Sequence, residues 1–173
     1  MPMNQALLPE FDNEMGKTRE CLSRIPDGKF EYKPHPKSGT MGWLGNHLAQ
    51  MTGWLASMFN TDSFDIAPGG KQIQFPTAKT RAELLAMFDE SSAAARASLA
   101  KVTDEQMMQT WTLFNNGETI FALPRVGVYR GMILNHIIHH RGQLTVYFRL
   151  NDIPLPALYG PSADEGQMAA TAG

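Results

Sequence analysis

Apolar residues recur along this chain in steps of three, four and seven, the spacing of amphipathic helices, over four long stretches. The first carries Leu7, Leu8, Phe11, Met15, Leu22 and Ile25 and is stopped by Pro26-Asp27-Gly28. Because proline is tolerated in a first helical turn and not beyond it, Pro9 predicts that the regular part begins close by. From Lys29 to Gly39 no helical period remains, and Pro34 and Pro36 mark a connecting loop. Ser38 and Thr40 are candidate N-caps for a second helix running to about Asn60, with Trp43, Leu44, Leu48, Met51, Leu55 and Met58 on its apolar side. His47 shares that side, one turn from both Leu44 and Met51.

Residues 61–79 form a Pro- and Gly-containing connection. Thr80-Arg81-Ala82-Glu83 then has the form of a capping box and predicts a third helix containing Leu84, Leu85, Phe88, Ala95, Leu99 and Val102. Its Ala- and Ser-rich middle, Ser91 to Ala97, lets a neighbouring helix approach closely. Thr103-Asp104-Glu105-Gln106 reads as a short extra turn. The one β signal follows: Thr110 to Phe114, then Asn115-Asn116-Gly117, then Glu118 to Ala122, with Asn-Gly accepting the positive φ angles of a tight hairpin. After Pro124 a fourth helix runs to about Leu150. Its inward stripe is predicted as Tyr129, Met132, Ile133, His136, His140, Gln143, Leu144 and Tyr147.

These elements predict an all-α fold, a four-helix bundle with a small β-hairpin before the last helix. A single domain over residues 1–160 and a flexible tail over 161–173 are expected. With 43% apolar and 18% charged residues in 173, the composition is that of an ordinary globular domain. No stretch approaches the roughly 20 apolar residues of a membrane span, and the N-terminus lacks the basic start and apolar core of a signal peptide, so no membrane partner and a cytoplasmic location are expected. A net charge of −2 with scattered Lys and Arg argues against nucleic acid. The single cysteine, Cys21, excludes an internal disulfide and has no basic neighbours that would make it a nucleophile.

Chemistry concentrates in Asn135-His136-Ile137-Ile138-His139-His140-Arg141-Gly142-Gln143-Leu144, which holds three of the five histidines. His136 and His140 are four apart, so on a helix their imidazoles share a face and can converge on one divalent metal. The pair His136 and His139, three apart, is the competing choice. A third ligand must come from another element, and His47 is the candidate. His139 is rotated by about 100° from His140 and faces elsewhere; His35, between prolines, is read as exposed. Arg141, also rotated away, is expected to pair with a carboxylate and hold the helix. Gln143, three residues past His140, is on the same stripe and is the weak candidate to orient a ligand or water. A lone histidine on an apolar face is most often a packed one, so the pair carries the reading.

The same segment, continued through Tyr147-Phe148-Arg149-Leu150-Asn151-Asp152-Ile153-Pro154, resembles the signature of the bacterial DinB-like, damage-inducible family. Leu8-Pro9-Glu10-Phe11-Asp12, Pro34-His35-Pro36-Lys37-Ser38, Leu44-Gly45-Asn46-His47-Leu48 and Tyr159 to Glu165 extend that resemblance over nearly the whole chain. It implies a four-helix bundle, often a homodimer, with a divalent metal held by His47, His136 and His140. Zinc or nickel is the foremost expectation, with iron or copper also suited to imidazole. Relatives include enzymes that join low-molecular-weight thiols to electrophiles, so the resemblance implies a metal-dependent thiol S-transferase or hydrolase acting on a small molecule. The rival expectation is a non-enzymatic metal-binding or stress-response interaction protein.

Overall fold

The computed structural model describes residues 1–166 and resolves the predicted bundle. Helix α1 spans Met3–Ser23, α2 Met41–Asn60 and α3 Arg81–Lys101, with a short α4 at Asp104–Met108. The last long helix is continuous but changes pitch: an α-helical turn α5 (Arg125–Gly127), a π-helical stretch (Val128–Leu134), then α6 (Asn135–Arg149). None of these helices is long and apolar enough to cross a membrane.

Local signals set most boundaries. The Thr40 hydroxyl accepts from the Trp43 amide at 3.0 Å and starts α2. Thr80 does the same for α3, accepting from Glu83. The reciprocal half of the predicted box is displaced by one residue, because the Glu83 carboxylate accepts from the Lys79 amide rather than from Thr80. A complete capping box instead closes at Thr103 and Gln106, at the start of α4. Pro9 departs from expectation, since α1 begins six residues before it, at Met3. Pro9 is exposed, where water can serve the carbonyl its missing N–H leaves free.

The β structure is larger than the expected hairpin. Strand β2 (Thr110–Asn115) pairs antiparallel with β3 (Glu118–Pro124), and Asn116 and Gly117 take φ of 53° and 78° at the turn. A further strand, β1 (Ser63–Asp65), adds parallel to β2. Its Asp65 carboxylate accepts from the amides of Ala67, Asn116 and Gly117, which fastens the hairpin tip to the connection after α2. Buried Arg125 joins the same region to the end of α2. It donates to the carbonyls of Met58 and Thr61, at 3.1 and 2.7 Å, and to Asp62.

The core lies between the four long helices, from Phe11 and Leu22 of α1 and Ile25 just past its end, through Leu48 and Leu55 of α2 and Leu84, Phe88 and Leu99 of α3, to Leu144 and Phe148 of α6. On α2 the contact with its neighbours is made by glycine. A Cβ on Gly45 would come within 2.8 Å of Ile25 and 2.9 Å of Leu84, and one on Gly42 within 3.0 Å of the Phe30 carbonyl. Exposed bidentate pairs, Arg19 with Asp89 and Arg96 with Asp12, add little, because solvent and salt screen them.

A charged group also enters the core. Arg141 is 1% exposed and donates to the Glu14 carboxylate at 2.5 Å, the Glu14 carbonyl at 3.0 Å and the Thr18 hydroxyl at 3.1 Å, and it also meets the Tyr159 hydroxyl. This is the structural pairing expected of it. Burial pushes the Glu14 carboxyl up, but hydrogen bonds from Tyr159 and Arg141 outweigh that and hold it below the ordinary range. Beyond Tyr159, Ser162 accepts from the amides of Asp164 and Glu165, Asp164 pairs with Arg149, and Glu165 pairs with Arg24. These contacts fall on the first part of the tail expected to be flexible; residues 167–173 lie outside the described residues.

Removing one member of a buried ion pair leaves the other charge uncompensated, at a cost of about 3–5 kcal/mol. Arg141→Met is therefore expected to lower stability by that amount in urea unfolding. Exposed Arg96→Met is expected to leave it nearly unchanged.

Candidate metal centre

His47 sits in the second turn of α2, and its direction follows from the glycines beside it. Gly45 and His47 are two residues apart, about 200° around the helix, so pressing Gly45 against α1 and α3 turns His47 to the opposite side. That side faces the last helix. Asn46, between them, is buried and binds both ways to a loop, donating to the Ala78 carbonyl and accepting from the Ala78 amide, at 2.9 and 2.6 Å. Gln50 donates to the Pro76 carbonyl of the same loop. On α6, His136 and His140 project from one face, as their spacing requires. Tyr147 donates to the Gly39 carbonyl at 3.0 Å, tying α6 to the chain just before α2.

The three rings converge. His47 Nε2 lies 3.2 Å from His136 Nε2, which lies 2.7 Å from His140 Nε2, and the ligand atoms of all three fall within 4.8 Å of one another. Four-coordinate zinc with bonds of 2.0–2.1 Å separates its nitrogens by roughly 3.3 Å, close to this arrangement. One proton can lie between any two of these nitrogens, so hydrogen bonding alone leaves the contacts competing for it. A single cation accepts all three lone pairs. Among the described residues no carboxylate, thiol or fourth imidazole joins the cluster. His139, the alternative partner of His136, is exposed.

Protonation suits the same role. Burial, reinforced by the neighbouring His140 and His136, pushes His47 down to about 4, and burial also lowers His140 despite its hydrogen bond to Gln143. Both rings are neutral at pH 7, as metal ligation demands. Gln143 Oε1 lies 2.7 Å from His140 Nδ1, so that nitrogen carries the proton and Nε2 keeps its lone pair. Gln143 thus orients a histidine by accepting from its outer ring nitrogen, as an acceptor behind a metal-binding imidazole does, and is a positioning residue.

Some expected placements change. Trp43 and Met132, read as inward, are 50% and 39% exposed, and Gln143 is exposed as well. Trp43 stacks on His47, with ring centroids 4.9 Å apart and planes 9° apart, and meets His140 edge-on. It flanks the site from outside instead of filling the core. Tyr129 and Tyr147 are buried as expected. Cys21 is fully buried and its thiol is pushed up to about 11, chiefly by burial, which leaves it a packing residue.

On the other side of the rings is a cavity of about 320 Å³, reached by His47 and His136 and otherwise walled mainly by apolar side chains of α2, the sheet and the π-helical stretch. Asn46, Gln50 and this cavity were not singled out by sequence. Asn46 and Gln50 act on a loop roughly 30 positions away along the chain, which no local periodicity encodes.

Comparison with known proteins agrees with the fold. An uncharacterised Bacillus subtilis (strain 168) protein, YrdA, is 25% identical over 160 residues, covering 91% of this chain and 89% of its own. The crystal structure of a DinB-like protein from Bacillus cereus ATCC 10987 superposes with a TM-score of 0.69 at 19% identity, covering 90% of this chain and 97% of that one. That of the Bacillus subtilis DinB-like protein YjoA gives 0.66 at 19% identity, with 87% and 96% covered. At such identity these two likenesses speak for the fold. The DinB family model matches residues 1–171, and the chain belongs to the DinB family.

Proposed function

We propose that this protein is a divalent-metal-dependent enzyme in which His47, His136 and His140 hold the ion and a small molecule, a low-molecular-weight thiol foremost, takes part in group transfer or hydrolysis. The observation that carries the reading is the convergence of three ring nitrogens with no fourth protein donor among the described residues. Three protein ligands with an open position mark catalytic rather than structural sites. Zinc or nickel fits the imidazole set best, with iron or copper next. When bound, such an ion supplies Lewis acidity that favours the deprotonated form of a thiol or water beside it.

The chain's own residues do the rest. Gln143 fixes the His140 tautomer, Trp43 covers the outer face of His47, and the apolar wall next to His136 limits water. The metal centre is tested by elemental analysis of protein purified without a histidine tag, followed by a screen of small thiols against electrophilic acceptors. A folded His136→Ala variant is expected to lose both metal and turnover. Metal-free wild-type protein that supports full function would refute the reading. Gln143→Ala is expected to keep the fold and weaken metal affinity by about 10–100-fold, measured by competition with a chelator.

Acid also reads out the site. The His47 value in the folded protein, about 4, lies below the roughly 6.5 of an unfolded chain, so between the two the unfolded state binds a proton that the native state does not. Stability of the metal-free protein is therefore expected to fall as pH drops from about 6.5 toward 4. The lowered Glu14 carboxyl contributes its own loss further down, as pH passes below the ordinary carboxylate value. His47→Leu is expected to reduce the slope in the upper window, where the lowered His140 also contributes, in urea unfolding at successive pH values, leaving the lower window in place.

A further inference from the structure

The cavity beside the histidines has a composition that restricts what can enter it. Its walls are Met51 and Trp54 of α2, Phe75 of the loop held by Asn46 and Gln50, Trp111, Leu113 and Phe121 of the sheet, and Val128, Met132 and Ile133 of the π-helical stretch. No charged side chain lines it. The polar groups are Gln50 and the two imidazoles, and the Trp111 N–H is already donated to the Thr61 hydroxyl. An anion or ammonium placed here would lose its hydration with no countercharge to replace it, whereas an apolar group loses only water. In size, about 320 Å³ is roughly twice the 150 Å³ that accommodates a benzene ring.

The π-helical turns place this wall. Val128, Met132 and Ile133 stand four and five residues apart, the interval that aligns side chains on a π-helix, and the α-helical register resumes at Asn135, one residue before His136. Cavity wall and ring are thereby carried on one rigid element. A second, larger groove of about 660 Å³ lies beyond Trp54 and Phe75, but it is lined by Glu83 and Glu90 and by no histidine.

Building on the metal-dependent reading above, we propose that the 320 Å³ cavity is the substrate subsite of the histidine centre, holding the apolar body of the reacting molecule. It takes an uncharged, apolar group of about two fused rings or an alkyl chain of similar bulk. Such a group presents its reactive atom at His47 and His136.

The test separates the cavity from the metal. Metal-free protein is titrated by calorimetry with 2-naphthol and with naphthalene-2-sulfonate, which share a ring system and differ in charge. The neutral compound is expected to bind at least tenfold more tightly, and Leu113→Phe, which fills the cavity, and Met132→Glu, which places a carboxylate at its partly exposed edge, are each expected to weaken it at least tenfold. Ala86→Trp, on the α3 side of the larger groove, is expected to leave it unchanged. Equal binding of both compounds, no binding of either, or loss of binding in Ala86→Trp alone would overturn the proposal. In parallel, cobalt(II)-loaded protein is mixed with 2-naphthalenethiol, and a sulfur-to-cobalt absorption band that weakens in Leu113→Phe is expected. Failure to retain cobalt refutes the metal reading and leaves the calorimetry to judge the cavity. Cobalt retention without naphthol binding refutes the cavity alone.

Discussion

The guanidinium of Arg141 sets the rotation of α6, and the site exists because of that rotation. Arg141 follows His140 directly, so the two side chains leave the helix about 100° apart. With Arg141 anchored to Glu14 and Thr18 of α1, His140 and His136 have no choice but to face α2. Desolvating an arginine is costly, and a pair of this kind adds little net stability over apolar packing of the same shape. Its return is directional. Leucine at this position would bury as much apolar surface yet accept several rotations of the helix, whereas a guanidinium aimed at a carboxylate, a carbonyl and a hydroxyl accepts one.

Helix α2 supplies the other half of the geometry by an inverse device. Where α6 is fixed by the largest fully buried side chain in the core, α2 is fixed by absent ones, Gly42 and Gly45, whose faces admit Phe30, Ile25 and Leu84 at distances no Cβ permits. The opposite face is thereby presented to α6 with His47 in its middle. The two helices are then clasped at one end by Tyr147 on Gly39. Three ring nitrogens from two elements 89 positions apart meet within hydrogen-bonding distance because neither helix is free to turn.

What the sequence could reveal divides along the range of the interactions. The four helices, the Thr40 and Thr80 caps, the Asn-Gly turn and the pairing of His136 with His140 are all encoded within one or two turns of chain, and each is where local pattern places it. Strand β1 is three residues long, too short for alternation to show, and exists because Asp65 captures the hairpin tip 51 and 52 positions on. The exposure of Trp43 and Met132 has the same origin. Both belong to the apolar stripes by spacing, but the stripe is wider than the surface the neighbouring helices cover, and residues at its margin become the rim of a cavity. Pro9 misled because a mid-helix proline costs least on the solvent side, which its position in the stripe of α1 already indicated.

The donor set and its surroundings lead to one further step about the proposed chemistry. Three imidazoles are neutral ligands, and the burial that lowers His47 and His140 also withdraws the water that would otherwise spread an ion's charge. With no carboxylate in the cluster among the described residues, a divalent cation held there keeps both its positive charges in a weakly polar setting. The stabilising partner must then come from solution, and it must be an anion at the reacting atom. The adjoining apolar wall meanwhile rejects charge anywhere else on the molecule that enters. On the proposed reading a thiol would meet both conditions, since it would approach neutral and, once its proton had passed to solvent, would carry negative charge only at the sulfur.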